Sequence, residues 1–232
     1  MSVLGSERLQ LADWRRRMAE LYAEVRRTAA SDPAAAHEQW RIEREALYRG
    51  HQASPVPEER RAEFRAIHFP YDPGLRFELP LAVDSAPAPD SAPSAPTAAP
   101  FGLKLPISTG QPLAFERVGW FDVPFEAGKR RLALFWLPEY SGGLFLPFRD
   151  GTNGRETYGG GRYLLDTAKG ADLGAGHGHG RDGHDGNEGD RLVVDFNFSY
   201  QPSCAFDPRW SCPLSPVDNR LEFEIRAGER IA

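Results

Sequence analysis

Long apolar runs are missing. No stretch of about 18 apolar residues occurs anywhere in the 232-residue chain, so nothing in it reads as a membrane-spanning helix. A secretory leader is missing too. Met1 to Gly5 runs straight into charged residues, without an apolar core or a small-residue cleavage site, and the expected location is cytoplasmic with no membrane partner. Cysteine is scarce. Cys204 and Cys212 are too few for a disulfide scaffold, and in a reducing cytosol they should be thiols. Basic charge is short: 28 Lys and Arg against 33 Asp and Glu give a net charge of -5, which argues against a nucleic-acid partner. Lysine is nearly absent, at Lys104, Lys129 and Lys169 alone. With so much Ala, Pro and Gly, the arginine excess reads as the codon usage of a GC-rich genome. There is no phosphate-binding loop, no H-E-x-x-H, no G-x-S-x-G elbow and no internal repeat. Gly159-Gly160-Gly161 does not lead from a strand into a helix, so it is no dinucleotide fingerprint. No cofactor is expected.

What is present is an ordinary globular composition, 41% hydrophobic and 26% charged, long enough for one sizeable core. Residues 6–30 read as a helix, because Leu11, Trp14, Met18, Leu21, Tyr22 and Val25 recur at spacings of three and four. Ser31-Asp32-Pro33 stops it and restarts a second helix, with Asp32 as cap and Pro33 in the first turn. That helix runs to about Tyr48, with Ala36, Trp40 and Leu47 inward. A third, short helix is expected after Ser54-Pro55, carrying Phe64 and Ile67, with Glu58 and Glu59 near its positive end.

The pattern then turns to strands. Arg76 to Val83 alternates. From Phe101 roughly eight candidates follow, near 102–108, 113–118, 120–126, 131–137, 143–149, 155–158, 162–166 and 191–199, with a last one at 220–226. Their short spacings favour antiparallel neighbours. The expected fold is mainly β, an antiparallel barrel or two-sheet sandwich, with an N-terminal helical arm over 1–67 and the β domain over 68–232. Within it, 84–100 is a Pro/Ala-rich loop and 170–190 a Gly/His-rich one.

Three blocks carry a family likeness. Residues 145–163 read F-L-P-F-R-D-G-T-N-G-R-E-T-Y-G-G-G-R-Y, and 195–213 read D-F-N-F-S-Y-Q-P-S-C-A-F-D-P-R-W-S-C-P. Asn219-Arg220-Leu221 and Ala227-Gly228-Glu229 close the set. In this order they resemble bacterial domain-of-unknown-function family 1684, over about residues 40 to 230, with a weaker likeness at Phe64 and at F-P-Y-D, 69–72. The resemblance implies a shared domain and carries no activity or catalytic residue with it.

Four constellations could carry chemistry. In the first, Gly151-Thr152-Asn153-Gly154 is a turn joining two strands, with Arg149, Asp150, Glu156, Thr157, Tyr158, Arg162 and Tyr163 in or beside it. These residues suit a pocket wall whose arginines hold a carboxylate or phosphate, or a buried ion network that pins the hairpin. In the second, strand alternation puts Val193, Asp195, Asn197 and Ser199 on one face, at a cavity mouth, in solvent or against those arginines. The third, Cys204 to Cys212, offers two thiols in a Pro-rich loop, to be read as buried thiols, a disulfide or a redox pair; zinc would want four ligands. The fourth, His177, His179 and His184 with Asp182, Asp185, Glu188 and Asp190, has metal-ligand types in a Gly-rich loop that does not preorganise them, so no functional metal is expected.

The reading that results is a soluble β domain whose polar pocket binds a small anionic ligand through Arg149, Asp150, Thr152, Tyr158, Arg162, Asp195 and Asn197. Two others stand beside it. One is an enzyme of hydrolase-like acid/base chemistry using Asp195 or Asp150 with an arginine. The other is a partner-binding module that docks through its N-terminal helices.

Overall fold

The computed structural model describes residues 3–83, 103–105, 113–138, 142–176 and 191–231. Helix α1 (Val3–Ala29) and helix α2 (Pro33–Gly50) form an antiparallel pair. The break between them follows the local chemistry. The Asp32 carboxylate accepts a hydrogen bond from the Ala35 amide at 3.0 Å, and Pro33 begins the second helix. Ala36, His37, Trp40, Arg44 and Tyr48 are buried on one stripe of α2, and Leu47 packs partly buried beside it. Helix α3 (Glu58–Arg61) is a single turn. Phe64 lies beyond it, and Ile67 belongs to a strand, so the expected third helix is shorter than its sequence suggests.

The strands are β1 (Ile67–His68), β2 (Arg76–Pro80), β3 (Ala82–Val83), β4 (Leu103–Leu105), β5 (Leu113–Phe125), β6 (Gly128–Trp136), β7 (Leu144–Phe148), β8 (Arg162–Asp166), β9 (Arg191–Asp195) and β10 (Glu229–Arg230). All pairings between them are antiparallel. The main sheet runs β3-β5-β6-β7-β8 with β4 on β5; β2 pairs β9, and β1 pairs β10. Among the described residues there is no closed barrel. The strands expected at 113–118 and 120–126 are one strand with an irregularity between Arg117 and Gly119. Gly119 lies against the backbone of Ala82 and Val83, where a Cβ has no room.

Three expected strands are corrected. Residues 155–158 coil instead around the Thr152 carbonyl, which accepts from the amides of Arg155, Glu156 and Thr157. Residues 151–154 therefore sit inside a longer connection from β7 to β8. The run 191–199 is a strand only to Asp195, whose carboxylate accepts from the Asn197 amide at 3.0 Å and turns the chain into a short 3-10 helix. Asn197 and Ser199 consequently share no strand face with Val193. Residues 220–226 alternate in burial but make only an isolated bridge, Arg149 with Arg220. The tract 84–100 and residues 177–190 lie outside the described residues.

Both faces of the main sheet are covered. Phe121, Val123, Leu132, Leu134, Leu146, Phe148 and Leu164 join Met18, Leu21, Tyr22, Val25 and Trp40 in one core. Phe115, Ala133, Phe135, Phe145, Tyr163 and Cys212 form a smaller one. Burying a large apolar side chain is worth roughly 1.5–3 kcal/mol, so the five helical residues together contribute on the scale of a whole domain's net stability, about 5–15 kcal/mol. The helices share the core of the sheets. No helix among the described residues is long and apolar enough to cross a membrane.

Candidate functional site

The residues singled out from the sequence fall into separate places. Asp150, Thr152 and Arg162 come together in a closed network. The Asp150 carboxylate accepts from the Thr152 hydroxyl at 2.9 and 3.0 Å, from the Ile225 amide at 2.6 Å and from Arg162 Nη2 at 3.3 Å. Arg162 has none of its side chain exposed. It also donates to the carbonyls of Ile225, at 2.8 Å, and of Ala227, and its guanidinium lies over the Phe148 ring. Burial lowers its pKa, and the Asp150 charge works against that shift. This network fastens the β7–β8 connection to the C-terminal segment.

Asn197 is also spent internally. Its side chain exchanges two hydrogen bonds with the backbone of Asp72, both 2.8 Å, and donates to Asp195 Oδ1. Arg149 is half-buried, and its side chain has no hydrogen bond or ion pair among the described residues. Tyr158 packs against the cysteines. Burial, and then the Cys204 thiol, push its hydroxyl up to about 12. Cys204 and Cys212 are not joined by a disulfide, and the Cys204 amide donates to Cys212 Sγ at 3.3 Å. The Cys212 thiol is pushed up by its contact with Cys204 and by burial. Among the described residues no group of three or more His, Cys, Asp and Glu could hold a metal ion, and the His177–Asp190 cluster lies outside them.

Several spaces are open among the described residues, and two of them have mainly apolar walls with a few charged groups. The first is a cleft of about 170 Å³ between α1 and the loop 200–212. Trp14, Tyr48, Tyr163, Tyr200 and Trp210 line it, with Met18, Pro55 and Cys212. The rings hold one another. Trp14 lies 5.5 Å from Tyr48, and Tyr163 6.0 Å edge-on to Tyr200. Two of their polar tips are anchored on backbone carbonyls, Tyr163 on that of Pro213 at 2.5 Å and Trp210 on that of Pro55 at 3.3 Å. Its charged groups are Arg15, Asp166 and Lys169. Lys169 Nζ is 2.9 Å from Asp166 Oδ2, and that charge raises the lysine's pKa. The second space is a cavity of about 140 Å³ between the end of α1, strands β2 and β9 and residues 173–175; Asp195, Arg76 and Arg26 are its charged lining. Burial pushes the Asp195 carboxyl up to about 6, against the opposing pull of Asn197 and Arg76.

Residues 62–230 match the family described as "Protein of unknown function (DUF1684)". The chain belongs to this family. A solution NMR structure of an uncharacterized protein of Haloarcula marismortui is similar to it at 30% identity, covering 82% of this chain and 90% of that one, with a TM-score of 0.51. None of the curated proteins matches the chain. The family region supplies Tyr163, Asp166, Lys169, Tyr200, Trp210 and Cys212 to the cleft, whereas Trp14, Arg15 and Tyr48 come from the helices that precede it. The sequence reading missed this wall. Trp14 registers there as a member of a helical apolar stripe and Tyr48 only as the end of the second helix, and nothing local marks Tyr200 and Trp210 as their neighbours.

Proposed function

We propose that the chain binds a small molecule with a flat apolar body and an anionic end, in the cleft between α1 and the loop 200–212. The observation that carries this reading is the lining: five aromatic rings from four parts of the chain converge on one space of about 170 Å³. Small-molecule sites characteristically combine apolar and aromatic walls with a few polar groups. A space this size is close to the roughly 150 Å³ of a cavity that holds one benzene ring. The sign of the ligand follows from the charges. Asp166 offsets Lys169, and Arg15 leaves one positive charge over. The arginine of the sequence motif, Arg162, is not available for that task, because its side chain is fully buried and its Nη groups go to backbone carbonyls and Asp150. Asp150 is equally unsuited to act as a general base, since both of its oxygens are engaged by internal donors. Tyr158 belongs to the layer behind the cleft wall, through Cys204 and Cys212.

The test is a titration of the full chain with benzoate, phenylacetate and benzyl alcohol, followed by tryptophan emission. Saturable quenching by the two carboxylates is expected, lost in Trp210→Ala. Arg15→Ala should weaken the carboxylates roughly threefold, as for an exposed ion pair, and leave benzyl alcohol unchanged. A response from none of the three compounds overturns the reading.

A further inference from the structure

The second space carries an inference of its own. Asp195 is 1% exposed. Its Oδ1 is saturated by the Asn197 amide at 3.0 Å and the Asn197 side chain at 2.8 Å. Its Oδ2 has no hydrogen bond among the described residues; the Arg76 Nε stands 3.8 Å away, too far to make one. The two groups are held in sight of each other without closing, at the wall of a cavity of about 140 Å³ whose other sides, apart from Arg26, are mainly apolar, including Val25, Ala29, Leu173 and Phe198.

We propose that this cavity is a proton-linked site for a short-chain carboxylate, of acetate to butyrate size. The volume sets the upper limit, since about 150 Å³ accepts six carbon atoms. The charges select the class. A cation would enter beside Arg76 and Arg26, and an uncharged alkane would leave Asp195 and Arg76 as they are. A carboxylate accepts from Arg76 with one oxygen. Its other oxygen meets Asp195 Oδ2, and two carboxylates at that separation cannot both stay ionised, so they share one proton. Above the Asp195 pKa binding therefore takes up one proton from solvent, which resides between the ligand oxygen and Asp195 Oδ2. The alkyl tail lies against the apolar wall.

The surrounding charges are compatible with this. On β2, Arg76 is held by Glu78 at 3.1 Å. From α1, Arg26 reaches the Asp172 carbonyl at 2.7 Å and stays 3.7 Å from its carboxylate. Tyr71, ahead of β2, is pushed up to about 12 by burial and then by the Asp195 charge, so it stays neutral. Burial pushes the Asp195 carboxyl up to about 6, which places the proton within reach of mild pH. None of the residues lining this cavity lines the aromatic cleft, so the two sites are tested independently.

The experiment is calorimetric titration of the full chain with acetate, propionate and butyrate at a series of pH values from 5 to 8. Expected is binding that weakens about tenfold per pH unit above the Asp195 pKa, with one proton taken up per ligand there, and that levels off below it with no net uptake, read from the buffer dependence of the heat. In Asp195→Asn the amide can still accept from Asn197 and now donates permanently to the ligand, so binding should persist and lose its pH dependence. Arg76→Gln should weaken binding at every pH, and it reads the same site should the first variant fail to fold. Absence of binding at pH 5, a flat pH profile in the parent chain, or an unchanged slope in Asp195→Asn overturns the proposal.

Discussion

Arg44 of α2 and Glu229 of β10 face each other at 2.9 Å, with 1% of either side chain exposed. The guanidinium sits among the rings of Trp40, Tyr48 and Tyr200, 4.2 to 5.3 Å from their centres, and donates to the Tyr48 hydroxyl at 2.6 Å. Glu229 also accepts from the Gln201 amide at 2.8 Å. One ion pair thus ties the helical arm to the last strand. Burial pulls the arginine's pKa down, and the Glu229 charge together with Tyr48 and the hydrogen bond to Glu229 more than restores it.

Breaking such a pair from one side leaves a charge without compensation, at roughly 3–5 kcal/mol, while replacing both partners by apolar groups is often neutral. Arg44→Met alone and Glu229→Met alone should each lose stability on that scale in urea unfolding. The double variant should lose much less than the sum. Additive losses would mean that the two residues act through other contacts.

The Asp150–Arg162 network gives a second prediction, because both of its side chains are fully buried. Asp150→Asn removes the charge that faces Arg162 and should cost about 3–5 kcal/mol. At temperatures where the variant remains folded, quenching of tryptophan emission by benzoate should be unchanged. A selective loss of ligand at full stability would instead place this network in the site.

The limits of the sequence reading have specific causes. The Asp32-Pro33 boundary was legible because cap and proline act within one turn, and most strands were legible from their alternation and spacing. The segment after Asp195 was misread because a side chain overrides the strand: the carboxylate bonds two residues ahead and ends the ladder. Residues 220–226 keep a strand's alternation, with Leu221 and Ile225 buried, yet the Ile225 amide goes to the Asp150 carboxylate and not to a neighbouring strand. The cleft was not legible at all. Its wall comes from positions 14, 48, 163, 200 and 210, and only the packing of α1 and α2 on the sheets brings them together.

Two histidines with buried ring nitrogens, one of them half-buried as a residue, predict an acid-sensitive fold. His37 and His68 lie 6.1 Å apart, ring centre to ring centre, beside Trp40, and the Nε2 of each is buried without a hydrogen-bond partner. Burial first, then nearby cationic groups, push them down to about 4 and about 3. Their folded pKa values lie below the unfolded value of about 6.5, so the stability held by the neutral rings is complete above that pH and is lost as pH falls. By pH 5 the two should withdraw about 4 kcal/mol together. Asp195 works in the opposite direction, because its folded pKa is raised and its share is lost as pH rises toward 6. The comparison is therefore between the parent chain and His37→Gln with His68→Gln. Denaturation midpoints should fall more steeply from pH 6.5 to 5 in the parent, and parallel curves would refute the assignment.

Gly228 shows how closely the C-terminal segment is fitted. Its φ is +76°, a left-handed conformation, and a Cβ there would collide with the side chain and carbonyl of Ser199 and stand 2.9 Å from the Phe196 carbonyl. The neighbouring Ala227 carbonyl accepts from Arg162 and the Glu229 side chain pairs with Arg44, so displacement of Gly228 disturbs both buried ion pairs. Gly154 is the internal control: its φ is +80°, and nothing lies within 4 Å of its Cβ position. Gly154→Ala should cost about 1 kcal/mol, the backbone strain alone. Gly228→Ala should cost at least about 3 kcal/mol, as strain and steric clash add. Chemical denaturation of the two variants measures the difference. Equal losses would show that Ser199 yields freely, and that the last strand is held by its ion pairs and not by this close packing.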